Sequence, residues 1–95
     1  MRDERSGLVA SISVGEETAY RELAGALRER LAVIADRAAY EQDAAAHLAR
    51  LQAASQRIER AADALPRPVP GDLAHFLKGG SFQKALSWLE RNVPA

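Results

Sequence analysis

Cysteine is missing from this chain of 95 residues, and its absence excludes disulfide bracing, thiolate catalysis and thiolate metal sites. Aromatic residues are scarce at 5%, although 47% of the chain is hydrophobic. Much of that 47% is alanine, so a core must come from Leu, Ile and Val with close helix contacts through Ala. Alanine has the best helix propensity and a poor strand propensity, so the composition favours helices. Net charge is missing as well: 13 basic residues balance 13 acidic ones. A neutral chain has no field to gather nucleic acid or an anionic membrane, which makes both unfavoured partners. A chain this short forms one domain at most, with a core that is marginal or completed by a second copy.

The N-terminal stretch "MRDERSGLVASISVGEE" carries charges of both signs around one brief apolar patch. It reads as neither a signal peptide nor a membrane span, so a cytoplasmic location is expected. The preference for Arg over Lys, with abundant Ala, hints at a bacterial origin. Residues 1–15 form an N-terminal segment with two readings. Leu8, Ala10, Ile12 and Val14 alternate as in a strand, which would have to pair with another chain. Alternatively the segment leads into a helix, with Ser13 and Glu16 as a capping box.

Residues 16–65 carry the main helical signal. No glycine or proline occurs between Gly25 and Pro66. Tyr20, Leu23, Leu27, Leu31, Ile34, Ala38, Ala45, Leu48, Leu51, Ile58, Ala62 and Leu65 recur at spacings of threes and fours, as one helical stripe requires. From Leu27 to Leu48 the rhythm is that of a coiled coil, with Glu41 and Ser55 as interruptions. Glu17 with Arg21, and Arg37 with Glu41, are spaced for surface ion pairs. A single helix over this range would be about 70 Å long and would need a partner for its stripe. A hairpin turning near "DRAAYEQDAAA" is the alternative. The lack of Gly, Asn or Pro in that stretch favours the single helix.

Pro66, Pro68 and Pro70 stop the helix near Leu65, since proline lacks a donor and disfavours helical geometry in the residue before it. Residues 66–72 are expected to form a stiff, extended spacer. In residues 73–95, Asp72 is placed to cap a short helix, Gly79 to end it in left-handed geometry, and Ser81 to cap the next. Leu73, Phe76 and Leu77 face Phe82, Leu86, Leu89 and Val93 across the "GGS" corner, a unit with a helix–turn–helix outline.

No catalytic, cofactor or metal site is expected. Asp43 and His47, with Glu41 nearby, have the spacing of a ligand pair, but a surface pairing explains them. Ser81 lacks the setting of a nucleophile, and "KGGS" lacks a phosphate-loop pattern. Trp88 lies well off the centre of the Phe82–Leu86–Leu89 stripe; it either packs over the flank of the local core or anchors a partner.

The sequence therefore points to an all-α protein: a long coiled-coil-like helix or hairpin, a proline spacer and two short C-terminal helices. The function expected is that of a non-enzymatic, self-associating adaptor or scaffold that binds another protein. Its homodimer interface would use Leu27, Leu31, Ile34, Ala38, Ala45 and Leu48, and its partner face would use Phe82, Leu86, Trp88 and Leu89. The alternative is a DNA-binding regulator using residues 73–92, where Gln83, Lys84, Arg91 and Asn92 offer polar groups.

Overall fold

The structure, a computed structural model, describes residues 14–93. Five helices account for most of them: α1 (Val14–Ala35), α2 (Arg37–Gln42), α3 (Ala44–Asp63), α4 (Gly71–Lys78) and α5 (Phe82–Asn92). The all-α class follows from the composition. Of the strand or lead-in read over residues 8–14, only Val14 is described, and it opens α1; the rest, and Ser13 as a cap, lie outside the described residues. Glu17 and Arg21 do form their i,i+4 pair, at 3.4 Å.

The favoured single helix over 16–65 is corrected to a hairpin. The chain breaks at Asp36 and Asp43, inside the stretch where a turn was the alternative. Both residues leave helical geometry, Asp36 at φ −85°, ψ 80° and Asp43 at φ −158°, ψ 90°. Each then turns its carboxylate onto the next helix: Ala39 N–H donates to Asp36 Oδ1 and Ala46 N–H to Asp43 Oδ1, both at 3.1 Å. A short carboxylate that satisfies an orphan helix donor makes a break inexpensive without glycine or proline. Folding back removes the Tyr20, Leu23, Leu27, Ile58 and Leu65 part of the stripe from water within one chain.

Cross-links between α1 and α3 show the antiparallel register, since partner numbers rise on one helix as they fall on the other. Val33 meets His47, Arg30 meets Ser55, and Glu29 meets Arg57. Leu23 and Leu27 of α1 are fully enclosed, and Ile58 and Ala54 of α3 are buried opposite. A buried leucine contributes roughly 1.5–3 kcal/mol, far more than the exposed ion pairs along the seam.

α3 ends at Asp63, near the expected limit, and Leu65 then plugs into the core. The proline segment is not extended over its whole expected range of 66–72, since α4 already begins at Gly71. It bends at Arg67 and Pro68, their peptide bond is cis, and Val69 returns to the core cluster. That bend carries α4 and α5 back over the open end of the hairpin, where Leu73, Ala85 and Leu89 join the core of Tyr20, Leu23, Leu27 and Ile58.

Three expected caps are also corrected. α4 begins at Gly71 after Pro70, so Asp72 sits in the first turn, favourable to the helix dipole but not a cap. Ser81 occupies the N-cap position of α5 without a side-chain bond. Gly79 has φ −83°, and Gly80 takes the left-handed conformation at φ 74°. Gly80 N–H donates to the Leu77 carbonyl at 3.2 Å and Ser81 N–H to the Phe76 carbonyl at 2.8 Å. This is the Schellman pattern, one residue later than expected.

Candidate functional site

The hairpin tip, at the closed end away from α4 and α5, is built from the last turn of α1, all of α2 and the first turns of α3. Its main chain is well tied. The Val33 carbonyl, otherwise an unsatisfied acceptor at the end of α1, receives Asp36 N–H at 3.2 Å and His47 Nε2 at 2.7 Å. A carbonyl only accepts, so Nε2 carries the proton. The Tyr40 ring meets the His47 ring edge to face, with centroids 5.5 Å apart and planes at 81°. Arg50 on α3 lies 3.8 Å from the Asp36 carboxylate. Together these contacts fasten α1, α2 and α3 to one another.

On this frame stand the three exposed large apolar side chains of the described residues: Ile34 at 44% exposure, Tyr40 at 54% and Leu48 at 53%. Single exposed leucines are ordinary. Here all three belong to one end, and every other large apolar residue within 16–93 is buried or partly covered. Val33 and His47, the chain neighbours of Ile34 and Leu48, are bonded to each other, and Tyr40 meets His47; Ala38, Ala44, Ala45 and Ala46 are exposed as well. Small residues next to large ones let another helix approach closely.

The expected dimer interface therefore divides. Ile34, Ala38, Ala45 and Leu48 all lie in the tip segment and are open to solvent, and Leu31 is half-buried. Leu27 is corrected: it is fully enclosed by the chain's own core and has no surface to give. The expected partner face on α5 fares differently. Leu89 is enclosed in the core, and Phe82, Leu86 and Trp88 are half-buried against it. Arg30 also covers the Phe82 ring, its guanidinium carbon 4.9 Å from the centroid, while its Nε donates to Ser55 at 3.3 Å. These apolar side chains close the base of the hairpin. Tyr40 lies off the apolar stripe, and its one signal in the sequence is a large aromatic side chain in an alanine-rich stretch.

Two other places were candidates. Tyr20, Arg21, Ala24, Arg28, Leu89 and Glu90 line a cleft of about 420 Å³ between α1 and α5. Arg28 and Glu90 neutralise each other there at 3.3 Å. Burial, with the Glu16 carboxylate as a smaller cause, pushes the Tyr20 phenol above its ordinary value of 10.0. Asp43 and His47, spaced like metal ligands, are a cap and a carbonyl donor. Among the described residues no three of His, Asp and Glu gather as a metal site, and no helix is long and apolar enough to cross a membrane. No family model matches this chain, and no curated protein or solved structure matches it either.

Proposed function

We propose that this chain is a non-enzymatic helical docking module of the adaptor or scaffold kind, which engages protein through the tip of its hairpin. The observation that carries this reading is the gathering of Ile34, Tyr40 and Leu48 in the open on a frame held by two aspartate caps and the His47 bond. A rigid, amphipathic helical surface rich in alanine suits the apolar face of another helix. The two histidines support a non-catalytic reading: His47 is committed to a main-chain carbonyl, and His75 stands exposed beside the Phe76 ring.

A DNA-binding regulator would use the outer side of α5, where Gln83, Lys84 and Arg91 are exposed. Two cations there compare poorly with the six to ten phosphate contacts of a typical binder, roughly. A photo-crosslinking residue at position 40 or position 84 separates the two readings in the intact chain. Protein adducts from position 40, and none from 84, are expected. Nucleic-acid adducts from position 84 with a silent position 40 would overturn the docking module.

A further inference from the structure

We infer that the occupant of the tip is a second copy of this chain, seated about a two-fold axis that brings α2 against α2 in antiparallel fashion. The inference rests on the reading of the tip as a docking surface and names its partner. The charges of α2 supply the reason. Arg37 and Glu41 are one turn apart, on either side of the exposed Ala38 and Tyr40, and were expected to pair with each other. They do not: neither has an ion-pair partner among the described residues, whereas Asp36 is paired with Arg50 and Asp43 is spent as a cap.

One free cation and one free anion on the same short helix give no net attraction for an acidic or a basic partner. They do match their own image under a two-fold rotation. In an antiparallel crossing of α2 on α2, Arg37 of each copy faces Glu41 of the other, so one symmetric contact forms two ion pairs and leaves none of the four charges alone. Ala38 lies between them, and its small side chain permits the helices to come close. Tyr40, Ile34 and Leu48 then cover one another across the axis. Three partly exposed side chains alone fall short of the roughly 800 Å² per partner of a stable interface. A symmetric contact enlarges the patch with the exposed alanines of α2 and α3, all from one short surface.

The symmetry makes a charge-swap test decisive. Arg37→Glu places two acids opposite each other at both ends of the contact, and Glu41→Arg places two bases there. Each variant alone should dimerise about tenfold more weakly in analytical ultracentrifugation. An equimolar mixture of the two should restore the original affinity as a heterodimer, because each repulsive pair becomes an attractive one. Both positions are exposed, and unchanged helix content by circular dichroism would show that the fold is intact. A chain that stays monomeric at every concentration overturns the inference, as do charge reversals without effect or a mixture with no preference for the heterodimer. Tyr40→Ser with Leu48→Ser separates the two levels. If that variant loses association while the charge swaps are silent, the tip remains a docking surface and the two-fold pairing falls.

Discussion

At the scale of single residues, Tyr20 shows how burial becomes a pH dependence. Its side chain is 6% exposed, and desolvation ahead of the Glu16 charge holds the phenol protonated beyond its ordinary value of 10.0. The folded state therefore binds this proton more tightly than the unfolded state does. Its contribution is complete below 10.0 and is lost as the pH rises through the raised folded value. Urea midpoints measured on either side of that pH should fall on the alkaline side. Tyr20→Phe should flatten the fall, because the phenylalanine ring fills the same core position without a proton to lose. An equally steep fall in the variant would assign the alkaline loss to other groups.

At the scale of elements, the most consequential choice in the chain is the pair of breaks around α2. Six residues are too few for a stable free helix, so α2 exists because it is capped at one end by Asp36, abuts Asp43 at the other and leans on His47 through Tyr40. Replacing Asp36 or Asp43 with alanine removes one capping bond each and should cost about 1 kcal/mol. The effect should be local. Amide exchange should speed up across 36–48 in either variant while the amides around Leu23, Leu27 and Ile58 keep their protection. Uniform loss of protection would mean that the turn, and not the core, limits the stability of the whole hairpin. The same pairing of a local device with a tertiary one appears at the α4–α5 corner. Gly80 supplies the left-handed residue, and Leu73 and Leu89 supply the burial that makes the corner worth forming.

At the scale of the whole molecule, the described chain is a rod of 57 × 22 × 20 Å with its core at one end and its open apolar surface at the other. The hairpin and the α4–α5 pair share that core: Leu73, Ala85 and Leu89 lie in one cluster with Tyr20, Leu23, Leu27 and Ile58. Neither part can keep its apolar face covered without the other, so they should unfold together. Trp88, the single tryptophan, sits in α5 and reports on the tail, while far-ultraviolet circular dichroism is dominated by α1 and α3. Their urea transitions should coincide, and Leu89→Ala should shift both to lower urea by the same amount, at a cost of about 2–5 kcal/mol. A fluorescence transition that precedes the loss of helix would make the tail a separate, weaker unit.

Much of this protein was legible in its residues alone. Alanine abundance and spacings of three and four determine helices, because helix propensity and one-sided burial depend on local order in the chain. The proline ladder determines where α3 stops, since a missing donor and a steric clash act at the residue that carries them. The match between the apolar sides of 73–77 and 82–93 determines that the tail packs as a pair. What local order leaves open is which copy of an apolar stripe another stripe meets. Leu27 and Leu48 look alike as members of one heptad rhythm, yet one is enclosed and the other is half in water. Only the tertiary structure decided that. Two aspartates that any helix of this composition would tolerate became caps once folding back allowed Leu23, Leu27, Ile58 and Leu65 to bury one another within a single chain. The α4–α5 pair then covered the base of the hairpin, and the tip kept its apolar surface because nothing in the described chain returns to that end.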